Sequence, residues 1–217
     1  MPRFGEVLTA MVTPFGADGA LDLDAARDVA RWLVDHGSDG LVVAGTTGEG
    51  PVLTDDEKLD LWRSVAEAVP VPVVAGTGTN DTAHSVDLTR RAAGTGIAGT
   101  LVVTPYYNRP SQAGLEAHFR AVAAAAELPM LIYDIPIRTG RKVSHDVLVE
   151  LAGDVPNIVG VKDAALDVAG SARLIVDAPD DFEVYSGNDD QTLPLLSVGA
   201  VGVISVASHW AGRSSAR

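Results

Sequence analysis

Apolar residues recur along this chain in two alternating rhythms. Short consecutive apolar runs lie at 7–12, 40–44, 71–75, 100–104, 130–133, 158–162, 183–186 and 202–206. A strand covered on both faces reads as such an unbroken run, so each predicts a buried strand. Between them apolar residues return every three or four positions, predicting helices over 22–35, 54–68, 82–93, 111–126, 144–152 and 167–178, with a short one ending at Val198. In the first helix Ala26, Val29, Ala30 and Leu33 form one stripe, with acidic residues in the opening turn and Gly37 just past the end. Thr54-Asp-Asp-Glu57 has the form of a capping box.

Strict alternation of strand and helix implies parallel strands joined by right-handed crossovers. Eight such units predict a closed (β/α)8 TIM barrel. The competing architecture, a doubly wound sheet, lacks its fingerprint: Gly76-Thr-Gly-Thr-Asn-Asp81 has no third glycine and no P-loop is present. After Val206 the residues Ala207-Ser-His-Trp-Ala-Gly-Arg-Ser-Ser-Ala-Arg217 carry too little apolar pattern for an eighth helix. The expectation is therefore a barrel over 1–207 truncated after strand 8, followed by an irregular tail over 208–217, with the last strand's apolar face uncovered.

Composition narrows the function classes. The 217 residues suffice for one sizeable core, and 47% of them are hydrophobic. A formal charge of −13 without a basic stripe argues against nucleic acid as a partner. Cysteine is absent, which removes disulfides and thiolate metal sites. The five histidines (His36, His84, His118, His145, His209) show no metal-ligand spacing, so no metal is expected. Neither a signal-like start nor a bilayer-length apolar run is seen, and a cytoplasmic protein without a membrane partner is the expectation. Trp32, Trp62 and Phe119, at helical spacing, are expected in the core.

In a barrel the strand ends share one rim, where active sites form. The polar groups following the strands here are Thr46, Thr47, Tyr106, Tyr107, Tyr133, Arg138, Lys162 and Asn188. Lys162 closes the apolar run Ile158-Val-Gly-Val161, and a desolvated lysine is a nucleophile toward carbonyl carbon. Phenols can relay protons, a guanidinium fork recognises carboxylates, and threonines in a glycine turn offer hydroxyl and N–H groups to an anion. The set describes an imine-forming enzyme acting on keto acids. Glu49, in the glycine turn, reads as structural.

Gly40-Leu-Val-Val-Ala-Gly-Thr-Thr-Gly-Glu49, Tyr133-Asp-Ile-Pro-Ile-Arg-Thr-Gly140 and Gly160-Val-Lys-Asp-Ala164 closely resemble the signature motifs of the dihydrodipicolinate synthase family. Thr104-Pro-Tyr-Tyr-Asn-Arg-Pro110, Ser186-Gly-Asn-Asp189 and Gly202-Val-Ile-Ser205 extend the resemblance, which covers the chain from about Phe4 to Gly212. It implies a Schiff base between Lys162 and pyruvate, needing no cofactor, whose enamine attacks L-aspartate 4-semialdehyde to give 4-hydroxy-tetrahydrodipicolinate for diaminopimelate and lysine biosynthesis. Tyr133 would give and take protons, and Thr46 would link it to Tyr107 from a neighbouring subunit of a homo-oligomer, a dimer of dimers in full-length members. Thr47 and the backbone at Ile204 would hold pyruvate, and Arg138 the semialdehyde carboxylate.

Three departures from the family pattern stand out. Asp134 occupies a position where many members carry Asn, and is expected as a short polar turn residue. Gly50, Pro51, Asp55, Lys58 and His84 differ from the usual side chains of the lysine-inhibitor pocket beside Tyr106 and Asn80, which predicts weak feedback by lysine. The family continues beyond strand 8 with a barrel helix and a small helical domain. Two alternatives share these motifs: a sister pyruvate aldolase of the sialic acid lyase or keto-deoxy-sugar type, and a non-catalytic remnant acting as a partner of a longer homologue. Arg138 with the Thr46-Thr47 pair favours the semialdehyde over the first, and borohydride trapping on Lys162 discriminates the second.

Overall fold

A computed structural model describes residues 1–215 of the chain, and residues 213–215 by their backbone only. Eight strands, β1 (Val7–Ala10), β2 (Gly40–Val43), β3 (Val73–Gly76), β4 (Gly99–Val103), β5 (Met130–Asp134), β6 (Ile158–Asp163), β7 (Glu183–Ser186) and β8 (Gly202–Ser205), close into a barrel in sequence order. All pairings are parallel, and β1 meets β8 through Leu8 and Ile204. The predicted TIM barrel is thus the observed fold, with strand ends displaced by a residue or two from the sequence pattern.

Helices α1 (Leu23–Asp35), α2 (Asp55–Ala68), α3 (Thr82–Ala92), α4 (Gln112–Ala123), the single turn α5 (Pro136–Thr139), α6 (His145–Asp154), α7 (Val168–Asp177), α8 (Thr192–Ser197) and α9 (Ser208–Ser215) follow the strands. Short polar caps start six of them: Asp22, Thr54, Asp81, Ser111, Ser144 and Asp167 each accept a hydrogen bond from a first-turn amide. The capping box read at Thr54 and Glu57 is formed in both directions. Residues with side chains inside the barrel, among them Leu8, Val42, Val74, Leu101, Leu131, Tyr185 and Ile204, make one cluster. Two larger clusters lie between barrel and helices, one centred on Leu33, Leu61 and Trp62 and the other on Leu115, Phe119 and Leu151.

Two local features set the geometry of the rim. Between β5 and β6 the register steps, with Met130 opposite Ile158 but Leu131 opposite Gly160, leaving Val159 as an extra residue. Gly160 is required beside that bulge, because a Cβ there would sit 2.2 Å from the Glu183 carbonyl oxygen. On the α2 side Trp62 is fully buried and its indole N–H donates to the Val43 carbonyl at 3.1 Å, pinning the helix to the end of β2.

Three sequence expectations are corrected here. Ser208–Ser215 is a helix, kinked at Ala211, rather than an irregular tail. Hydroxyls rather than an apolar stripe anchor it: Thr9 Oγ1 meets Ser208 Oγ at 2.7 Å and Ser38 Oγ at 2.6 Å, and the Ser208 amide donates to Ser205 Oγ. Residues 216–217 of the expected tail lie outside the described residues. All four residues of β8 are buried, so its face is not left bare. Trp32 is 45% exposed and stacks on His36 instead of joining the core, since it falls outside the stripe that Ala26, Ala30 and Leu33 bury. Trp62 and Phe119 are fully buried as expected.

Candidate active site

Side chains alternate along a strand, so the last residues of β5 and β6 divide between the two faces of the barrel wall. Tyr133 and Lys162 are register partners, and the Lys162 amine lies 4.3 Å from the centre of the Tyr133 ring. Lys162 is only 5% exposed, and burial lowers its amine to about 8 against the nearby negative charge of Asp189, which raises it. Burial pushes the Tyr133 phenol up, while the Thr46 side chain and the Arg138 guanidinium pull it down. The two groups therefore sit as a partly uncharged amine and a protonated phenol.

A cavity of about 220 Å³ opens at Tyr133, lined by Thr46, Tyr106, Tyr133, Arg138, Gly78 and Lys58 among others, with Lys162 behind the phenol and outside the lining. The turn that carries Thr46 is built on left-handed backbone at Ala44 (φ 57°) and Glu49 (φ 54°). Gly50 closes it against Ala44, where a Cβ would lie 2.2 Å from the carbonyl oxygen. Glu49 is solvent-exposed, precedes the short 3-10 turn Gly50–Val52 and makes no side-chain capping bond to it. Arg138 rides on α5, an exposed turn that Pro136 starts and Gly140 (φ 72°) ends.

The expected site residues do not all converge. Thr46, Tyr133 and Arg138 line the cavity. Ile204 is buried in the same interior cluster as Tyr133. Thr47 is half-buried in the glycine turn but outside the cavity lining. Tyr107 stands apart, 89% exposed on left-handed backbone (φ 70°), and does not reach Tyr133 within the chain. The sequence reading gave no role to Asp189. This residue binds Ser205 Oγ and the amides of Val206 and Ala207, tying the end of β7 to the end of β8 while placing its charge near Lys162. Its place in Ser186-Gly-Asn-Asp189, one loop after Lys162, was the available signal. Among the described residues no cluster of three His, Cys, Asp or Glu side chains could hold a metal ion.

The model of the dihydrodipicolinate synthetase family matches residues 3–217. The chain belongs to that family. It is 55% identical over 212 residues to 4-hydroxy-tetrahydrodipicolinate synthase of Moorella thermoacetica, covering 97% of this chain and 72% of the relative. With the enzyme of the same name from Acidothermus cellulolyticus it shares 57% identity over 208 residues, 95% of this chain and 67% of the relative. Among solved structures, the fold matches a Bacillus anthracis dihydrodipicolinate synthase at 46% identity and a TM-score of 0.96, over 98% of this chain and 73% of the other. A Cyanidioschyzon merolae family member crystallised with lysine bound matches with the same identity, TM-score and coverage. The family is one of lyases, and the activity that goes with membership is 4-hydroxy-tetrahydrodipicolinate synthesis in lysine and diaminopimelate biosynthesis. No helix among the described residues is long and apolar enough to cross a membrane.

Proposed function

We propose that this chain condenses pyruvate with L-aspartate 4-semialdehyde through a Schiff base on Lys162, without a further cofactor. The free amine attacks the keto carbon of pyruvate, water leaves, and loss of a methyl proton gives an enamine. The enamine carbon then bonds to the aldehyde carbon, and the oxygen that was the aldehyde takes a proton. The amino group of the joined product displaces Lys162 as the ring closes, returning the lysine to its starting state. Tyr133, whose ring lies 4.3 Å from the amine, supplies and recovers these protons in this reading.

The observation that carries this reading is the buried Lys162 amine 4.3 Å from the Tyr133 ring. The low-polarity wall keeps a share of the amine uncharged near neutral pH, which nucleophilic attack requires. Thr46 beside the phenol gives the proton a route outward. Arg138 supplies the positive fork for the semialdehyde carboxylate, while Thr47 and the Ile204 backbone hold pyruvate. We assign Tyr107 to the site of a neighbouring subunit, in a homo-oligomer built as a dimer of dimers in the cytoplasm. Its full exposure on strained backbone supports this, as do Leu166 and Leu193, large apolar side chains standing in solvent.

Borohydride reduction in the presence of pyruvate tests the assignment. A reduced adduct on the Lys162 peptide, together with turnover only when the semialdehyde is added, is the expected result. An adduct elsewhere, or none in a folded sample, overturns it. Turnover with a sugar aldehyde in place of the semialdehyde assigns the chain to a sister aldolase.

A further inference from the structure

Directly behind Tyr133 and Lys162, on the helix side of the barrel wall, stands a second register pair, Asp134 and Asp163. Sequence suggested a turn residue at 134, yet Asp134 ends β5 and is 1% exposed. Asp163 is well supplied with donors, from Ser171 Oγ and the Ala165 amide. The Asp134 carboxyl receives one, the Val143 amide at 3.3 Å. That amide closes the base of the segment 135–143, and Arg138 sits on its outer turn. The other charged or titratable groups facing this region are Lys142 in the loop, His145 on α6, and Asp167 and Arg173 at α7. Lys142 is engaged with Asp167, and His145 and Arg173 with Asp177, so none of these cations is committed to Asp134.

We propose that Asp134 is a positioning residue whose neutral acid form keeps the Arg138 loop closed on the barrel mouth and whose carboxylate form lets it open. The inference rests on the assignment of Arg138 to the semialdehyde carboxylate. Its physical basis is linkage. A buried carboxylate facing a second carboxylate is disfavoured, so the closed loop binds the Asp134 proton more tightly than an open, hydrated loop does. Burial, together with the charge of Asp163 and against the Val143 amide and Lys142, raises the closed-state carboxyl to about 7. Closure therefore weakens as pH rises from the ordinary carboxyl range to about 7 and levels off above it, and with it the hold on the second substrate.

The test compares the chain with Asp134→Asn and Asp163→Asn. At saturating pyruvate, the KM for the semialdehyde in the unsubstituted protein rises about three- to tenfold between about pH 5 and about pH 7.5 and then levels off. Asp134→Asn keeps an acceptor for Val143 without a proton to lose, so its KM stays low and flat. Asp163→Asn removes the opposing charge and moves the midpoint to lower pH. Amide exchange over 135–143, corrected for intrinsic rates, reads closure without catalysis: protection falls with pH in the unsubstituted protein and holds in Asp134→Asn. The proposal is overturned if Asp134→Asn keeps the original pH dependence of KM, or if its loop protection matches the unsubstituted protein at high pH. Absence of semialdehyde turnover at every pH refutes the functional reading instead, and the exchange comparison then decides the latch alone.

Discussion

Tyr133 and Lys162 are paired across two adjacent parallel strands, and their side chains meet inside the barrel with the amine 4.3 Å from the ring. Proton handling and nucleophilic attack are thereby separated onto two strands. Replacing Tyr133 by Phe leaves the amine and its wall in place. Borohydride trapping of pyruvate is expected to persist while kcat falls on the order of 10²- to 10³-fold, as for loss of a general acid–base group. Thr46→Val, which leaves the phenol without its hydroxyl neighbour, is expected to lower kcat roughly tenfold. Unchanged kcat in Tyr133→Phe, measured by coupled steady-state assay, would exclude the phenol from the relay.

The pH dependence of the first step follows from the lowered amine. Only the uncharged form attacks, so kcat/KM for pyruvate is expected to rise with pH and level off above about 8. Asp189 stabilises the protonated form, and Asp189→Asn should therefore move the midpoint to lower pH. Initial rates across pH at fixed semialdehyde check both. A midpoint near the ordinary lysine range would show that the amine is solvated.

Lysine is expected to be a poor inhibitor. Lys58 is 6% exposed and lines the same cavity as Tyr133 and Arg138, with Asp55 shared among Lys58 at 3.6 Å, Arg91 at 3.6 Å and His84 at 2.9 Å. An incoming ammonium would meet a resident one whose counter-ion is already engaged. Half-inhibition by lysine is expected only well above about 1 mM, and tighter inhibition in a titration of rate against lysine contradicts this.

Stability is expected to be most sensitive where core packing and hydrogen bonding coincide. Trp62 fills the α2–barrel interface and holds the Val43 carbonyl, so Trp62→Ala should cost about 3–5 kcal/mol. Thr54→Ala, which removes one half of the capping box, should cost about 1 kcal/mol. Denaturant midpoints of the two variants, compared at constant slope, give the order directly.

The barrel was legible because parallel strands buried on both faces leave continuous apolar runs, and six of the helices begin with a short polar cap. Lys162 and Tyr133 were legible as rim residues for the same reason: position on a strand end fixes position in a barrel. What could not be read was which side of the wall a residue faces. Asp134 looked like a turn because Pro136 follows so soon, yet its strand runs one residue past Tyr133 and turns the carboxyl into the helix layer. Trp32 was misplaced because an aromatic at helical spacing can sit at the edge of a stripe rather than within it. The last helix escaped notice because a chain of hydroxyls, Ser38 to Thr9 to Ser208, holds it, and such contacts leave no periodic trace.

The bulge at Val159 has a chemical meaning as well as a geometric one. Had β6 kept the register with which it starts, Tyr133 would stand opposite Val161, and Lys162 would lie beside Asp134. A neighbouring carboxylate would hold the amine charged, and the imine could not form at neutral pH. One supernumerary residue, three positions before the lysine along the same strand, thus decides whether the protein has a nucleophile at all.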